Sequence, residues 1–372
     1  MLSIRNLLIV AAIHLASLEA PGQDPSMDSL KSLLASGLDG RQKVDVLNQL
    51  SYFHYDVNDT LALHYAQEAL SVSIKANYPA GIKYAYSLIG LGYSYADVKE
   101  AVRYFKLSDN LKVPNTERIT VDNFMVWGNV YTELGKYDSA LFYYRKARSF
   151  QILKINVGNL QSIYKNFAFV YINQWKNREA MQYLDSASSL SARAKDAFND
   201  REVLWYFSLA HLNLLAHDKS KTYSDKLCQL ASETNDSYHL IECRLMQSRQ
   251  HYQQGESHAS LLKALEAFAL TKTYYYAPQY VDVLIQVSKS YLELAEYGLS
   301  AQYLFQALKL SETKGFDHRT ATIKNIMAWL FQFQNKDDQA MKNIEQAQIL
   351  QNRIDDKNGQ VAIFQYTGVD LF

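Results

Sequence analysis

A small residue returns every 40 positions through most of this chain, as Ala140, Ala180, Ser220, Ser260, Ser300 and Ala340. Nine residues before each stands a ring: Tyr131, Tyr171, His211, His251, Tyr291 and Phe331. Seven residues after each come Ala147, Ala187, Leu227, Ala267, Ala307 and Ala347. Three columns holding one period leave few folds open, because a unit of this length buries its apolar face only by stacking on copies of itself. Ala101 and Ala62 carry the small-residue column upstream, and Leu47, Leu50 and Phe53 supply a first helix, which makes eight units. The unit at 201–240 is the weakest, with Ser at two small-residue positions.

Each unit reads as two helices. Phe124, Trp127, Gly128 and Tyr131 fall at i, i+3, i+4 and i+7, one face of a first helix. Gly135 closes it in a left-handed conformation. Asp138 and Ser139 open the second helix, whose inner face is Ala140, Tyr144 and Ala147. Small residues let the helices approach, and rings fill the space beside them. Burying one ring contributes on the order of 3–5 kcal/mol. Within YTELGKYDSALFYYRKA (131–147), Tyr131, Tyr137 and Tyr144 are therefore assigned to the core, and Phe142 and Tyr143, between columns, to a neighbouring helix or solvent. With 28 Tyr against 14 Gly and 5 Pro, breakers are scarce, which favours long helices over strands and turns.

The order Trp127, Gly128, Tyr131, Gly135, Tyr137, Ala140, Tyr144, Ala147 resembles the tetratricopeptide repeat, and 171–187 and 292–308 match it as well. The resemblance covers about residues 41–350. It implies an all-α, right-handed superhelical solenoid of about eight helix-turn-helix units, each about six residues longer than the usual 34. Long-repeat arrays of this kind are similar to extracytoplasmic sensor regions of bacterial signalling proteins. Residues 1–22 read as a signal peptide: Arg5, an apolar run from Leu7 to Leu18, and small residues permitting a cut before Gln23. No Cys stands at this junction for lipid attachment, and no later segment reaches the ~18 apolar residues of a membrane span. An exported chain, periplasmic or secreted and without a transmembrane segment when mature, is the expectation. Residues 23–40 and 351–372 are expected to form helices that cap the two ends of the array.

Catalytic signatures are not found: the sequence holds no HExxH, GxSxG, P-loop or full GxGxxG. Gly90-Leu91-Gly92 falls inside a helix and reads as a packing site. His211 and His251 occupy the ring column, so packing is expected of them rather than metal binding. Asp337-Asp338 suits a helix N-terminus. A formal net charge of zero offers no excess of cations for a nucleic acid. The expectation is a protein that is not an enzyme and uses no cofactor or metal. Cys228 and Cys243 stand equally far from the turn expected at 233–238, at similar height on antiparallel neighbours. Helix axes lie 8–10 Å apart whereas a disulfide needs Cα atoms within ~7 Å, so two buried free thiols are expected and the bridge stays an open alternative.

In the repeat family resembled here, first helices line a concave groove that grips extended peptides or partner helices. By position this implies a partner-binding set of Asn129, Thr132, Glu133, Lys165, Asn166, Phe169, Trp205, Arg249, Tyr252, Lys289, Trp329 and Phe333. The family's carboxylate clamp for chaperone tails needs Lys and Asn in successive units. Only Asn129 and Asn166 fit it, and Glu202 stands where a Lys should be, so chaperone tails are not expected. The leading expectation is a non-catalytic scaffold for a protein or peptide partner, with bacterial envelope signalling as its setting. The alternatives are a small-molecule (nutrient) binding helical-repeat protein and an intracellular peptide-responsive regulator.

Overall fold

A computed structural model describes residues 27–38, 40–54, 59–94, 98–114, 116–154 and 157–353. The expected signal peptide and nearly all of the expected C-terminal cap lie outside these residues. The described residues form seventeen α-helices and no strand. Helix α1 (Met27–Ala35) is followed by eight pairs. They are α2 (Gly40–His54) with α3 (Asp59–Lys75), α4 (Pro79–Tyr93) with α5 (Val98–Asn110), α6 (Glu117–Glu133) with α7 (Tyr137–Lys154), and α8 (Val157–Asn173) with α9 (Asn177–Ala194). Then come α10 (Ala197–Asn213) with α11 (His217–Glu233), α12 (Ser237–Gln253) with α13 (Ser257–Leu270), α14 (Ala277–Glu293) with α15 (Tyr297–Lys314), and α16 (Asp317–Phe333) with α17 (Asp337–Arg353). Leu30 of α1 packs on Val46 and Leu50 and so covers the first pair.

From the third pair onward, the turn inside each pair repeats one geometry. Gly135 has φ +70°, and the amide of Lys136 donates to the Tyr131 carbonyl at 2.8 Å. The same turn recurs at Trp175, Leu215, Gly255, Ala295 and Asn335, all with positive φ, and with an equivalent bond such as Ala216 N to His211 O at 2.9 Å. Only two of the six positions carry Gly. The backbone bonds of the motif hold the others left-handed, against about 1–2 kcal/mol each for a side chain there.

The small-residue column brings paired helices together as expected. Gly128 lies directly against the Tyr144 ring, which is itself 1% exposed. In the unit expected to be weakest, Ser208 Oγ donates to the Ser220 carbonyl at 2.8 Å; Ser248 and Ser260 repeat the bond at the same distance. Serine serves as well as alanine here because its hydroxyl is satisfied, so 201–240 folds as a regular pair. Tyr143 corrects the expectation that it lies between columns. Tyr143, Tyr183, Tyr223 and Tyr303 form a ring column of their own, each stacked on the ring twelve residues before it, Tyr131, Tyr171, His211 or Tyr291.

First helices pack on one another along the array, whereas second helices touch chiefly the first helices on either side of them. The burial follows: twelve of seventeen residues are buried in α10 and four of seventeen in α11. A two-layer stack with one layer in closer contact curves toward that layer, which puts the first helices on the concave side. The curvature is large enough that Tyr137, at the start of α7, meets His318, at the start of α16, with ring centroids 6.3 Å apart.

Cys228 of α11 and Cys243 of α12 are bonded, with Cα atoms 5.3 Å apart. This corrects the expectation of free thiols. The two small side chains allow an approach closer than the average separation of helix axes suggests.

Candidate functional site

The concave face is built from first-helix residues that repeat every 40 positions, and much of its polar chemistry is consumed by contacts between neighbouring units at an offset of 37. Asn199 Nδ2 donates to Ser162 Oγ at 2.7 Å, Gln279 Nε2 to Glu242 Oε1 at 2.7 Å, and Arg319 forks onto both oxygens of Asp282 at 3.0 Å. Lys165 Nζ reaches Glu202 Oε2 at 2.9 Å by the same step, with both side chains shut away from water. Asn166 Nδ2 donates to Asn129 Oδ1 at 3.0 Å, and the Tyr144 hydroxyl donates to that oxygen at 2.6 Å.

These bonds change the expected binding set. Lys165, Asn166, Thr132 and Trp205 are buried between helices instead of standing on the open face. Thr132 Oγ1 donates to the Gly128 carbonyl at 2.7 Å, and Trp205 packs on Phe169 and Tyr206. For Lys165, Asn166 and Trp205 the first helices lie close enough for residues at the edge of the expected face to become part of the seam, whereas Thr132 is buried against Tyr144 of its own unit's second helix. The side chain of Glu133 lies outside the described residues.

What stays accessible is one register position and its rim. Asn129, Phe169, Leu209, Arg249, Lys289 and Trp329 occupy the same place in six successive first helices, and every one is half-buried. Tyr252 is half-buried beside them and Phe333 is 60% exposed, stacked on Tyr297. The Lys289 ammonium sits 4.2 Å from the centre of the Tyr252 ring, whose hydroxyl donates to Glu293 Oε1 at 2.9 Å. Among the described residues, neither Arg249 nor Lys289 forms an ion pair or a hydrogen bond. Burial, and then the charge of Arg249, lower the Lys289 pKa to about 8, with Glu293 opposing. Burial raises Glu242 to about 8, against the opposing pull of Arg249 and Gln279, so this carboxyl is largely neutral at pH 7. Its Oε2 has no hydrogen-bond partner.

Other sequence candidates resolve into packing. His211 is buried and stacked on Tyr223, and His251 Nδ1 is 2.5 Å from Glu256 Oε2. Gly90 lies against the Phe105 ring inside α4. Among the described residues no group of three His, Cys, Asp or Glu could hold a metal ion, and no helix is long and apolar enough to cross a membrane. Gln279 and His239 were not anticipated as parts of this face. Only the 37-residue offset, which pairs 242 with 279 and 202 with 239, would have revealed them.

No family model matches the chain, and no curated protein sequence does. Solved structures match the fold. The chain is similar to a Rap protein complexed with competence and sporulation factor, at TM-score 0.61 and 11% identity over 87% of this chain and 96% of that one. It is also similar to aspartyl phosphate phosphatase F from Bacillus subtilis, at 0.57 and 14% over 82% and 80%. A third is a signal transduction ATPase with a tetratricopeptide repeat sensor from Pyrococcus horikoshii, at 0.52 and 12% over 91% of this chain and 55% of that one. The architecture is that of a right-handed tetratricopeptide-type solenoid.

Proposed function

We propose that this chain is a non-catalytic scaffold that binds a peptide or an extended segment of a partner protein along its concave face. The observation that carries the reading is the half-buried column Asn129–Phe169–Leu209–Arg249–Lys289–Trp329, six inward positions that present two unpaired cations between apolar surfaces. Aromatic and Arg side chains in partly desolvated surroundings dominate interface energetics, and a continuous curved face accommodates a chain better than a compact small molecule. A Rap conjugation gene regulator of similar fold was solved in complex with the Phr* peptide, which agrees with this use of the face.

Capture from a lysate tests the reading with three proteins: wild type, a concave-face variant (Arg249→Ala with Phe333→Ala), and an outer-face variant (Leu262→Ala with Phe305→Ala). A partner held by wild type and the outer-face variant but lost from the concave-face variant supports the reading. Equal retention by the concave-face variant removes it.

Export is part of the same proposal. The leader-like residues 1–22 support it, and so does the Cys228–Cys243 bond, since disulfides persist in oxidising compartments. The intracellular peptide-responsive regulator is the competing reading, favoured by the similarity to the Rap fold. N-terminal sequencing of the natural protein separates them: a new terminus near Gln23 is expected, and an intact Met1 would rule out a cleaved leader.

A further inference from the structure

Two half-buried cations on successive first helices, neither in an ion pair nor a hydrogen bond among the described residues, are an unusual arrangement. Like charges at neighbouring positions repel, and half-buried cations normally acquire a carboxylate. Arg249 of α12 and Lys289 of α14 hold the same register position in successive units, and among the described residues neither forms an ion pair or a hydrogen bond, Glu242 acting on Arg249 and Glu293 on Lys289 only through space. The carboxyl best placed by sequence to neutralise them is Glu242, two turns before Arg249 on the same helix. It bonds Gln279 instead and is enclosed among the first helices. Glu293 is taken by the Tyr252 hydroxyl at the exposed rim. Continuing along the column, Phe169 and Leu209 precede the pair and Trp329 follows it.

We propose that Arg249 and Lys289 form an anion subsite of the groove, and that the ligand is an extended peptide carrying an Asp or Glu side chain there, flanked on both sides by bulky apolar side chains. The inference rests on the peptide-binding reading given above and specifies its ligand. First helices of successive units are spaced about 8–10 Å apart and an extended chain advances about 3.3 Å per residue, so one unit corresponds to about three residues. A carboxylate held by both cations sits one and a half units from Leu209 and from Trp329, so the apolar side chains fall about four residues on either side of the acidic one. The guanidinium supplies paired donors and fixes the carboxylate, and Lys289 adds a point charge from above the Tyr252 ring. Peptide carboxylate can come from a side chain or from a C-terminus. The column continues past the pair on both sides, through Leu209 and Trp329, which favours the side chain.

The test uses short synthetic peptides with blocked ends, Leu about four residues to each side of a central Asp, and the same peptides with a central Asn. A third arm carries the central Asn and a free C-terminus. Binding is read by fluorescence anisotropy on the oxidised chain. The Asp peptide is expected to bind about tenfold tighter than the Asn peptide, with the preference lost in Arg249→Gln with Lys289→Gln. Equal affinity for Asp and Asn, or a preference that survives in the double variant, overturns the proposal. Tighter binding in the free-terminus arm than in the Asp arm overturns the assignment to a side chain.

A second measurement decides the anion subsite without any peptide. The titration of Lys289 is followed by NMR of labelled lysine in excess propionate and in the same concentration of chloride. A carboxylate at the pair raises the Lys289 pKa in wild type and, far less, in Arg249→Gln. The groups in play are Arg249, Tyr252 and Glu242 on α12 and Glu293 on α14 itself. An unchanged pKa overturns the subsite while leaving the groove reading intact. A raised pKa with no peptide of either kind bound keeps the subsite and counts against the groove reading.

Discussion

Lys165 Nζ and Glu202 Oε2 lie 2.9 Å apart with both side chains out of reach of water, tying α8 to α10. The Tyr206 hydroxyl adds a bond to the same oxygen at 3.3 Å, and His239 Nε2 stands 3.8 Å from Glu202 Oε1. Lys165 lies over the Phe198 ring as well. A lysine that position alone would send to a ligand is thus spent on joining two units.

Breaking this pair from one side leaves a charge buried without compensation. Lys165→Met is expected to cost about 3–5 kcal/mol, and Lys165→Met combined with Glu202→Leu distinctly less than the two single changes summed. Urea denaturation of the four proteins measures this. Additive single costs would mean that the pair is not coupled.

Glycine at 128 is required by contact and glycine at 298 is not. A methyl group at 128 would overlap the buried Tyr144 ring, whereas nothing lies within 4 Å of where one would stand at 298. Gly128→Ala is expected to lose about 1–3 kcal/mol, and Gly298→Ala to be neutral or to gain up to about 1 kcal/mol. The difference in thermal midpoints decides it, and equal midpoints would refute the close approach.

The Cys228–Cys243 bond closes a separation of 15 residues. Its reduction is expected to remove about 3 kcal/mol of stability. Thiol titration of the unfolded, unreduced chain should find no free thiol. Two free thiols would refute the bond.

Stability should pass through a minimum near pH 8. Glu242 has a folded pKa of about 8 against an ordinary 4.5, so the folded state keeps a proton that the unfolded state has lost. Its stabilising contribution is complete below about pH 4.5 and is lost as pH rises to about 8. Lys289 has a folded pKa of about 8 against 10.5, so from there up to about 10.5 the unfolded state holds the extra proton and stability recovers. Glu242→Gln keeps an acceptor for Gln279 and should be more stable than wild type at pH 7–8, flattening the acid side of the curve. An unflattened curve in that variant excludes Glu242 as its source.

The period of 40 was legible because Ala140, Ala180, Ser220 and their successors must be small wherever paired helices cross, and Tyr131 and Tyr144 must fill the space beside them. Those constraints act within a unit, and they recur with it. The turn at 135 was legible at Gly135 and Gly255 but not at Trp175 or Leu215, because backbone bonds impose the left-handed conformation even on a side chain that resists it. The binding face was read less fully. Periodicity alone shows which residues point inward, and it placed Arg249, Lys289, Trp329 and Phe333 on a surface. It could not separate them from Lys165 and Trp205, because burial there depends on how closely one first helix approaches the next.

By itself, then, the sequence determined the helix pairs, their number and the residues that hold each pair together, since these follow from local spacing and side-chain volume. Tertiary structure alone decided which inward-facing polar groups find partners 37 residues away and which two cations are left without one. That outcome depends on the approach and curvature of successive units, a property of the stack that no single unit encodes.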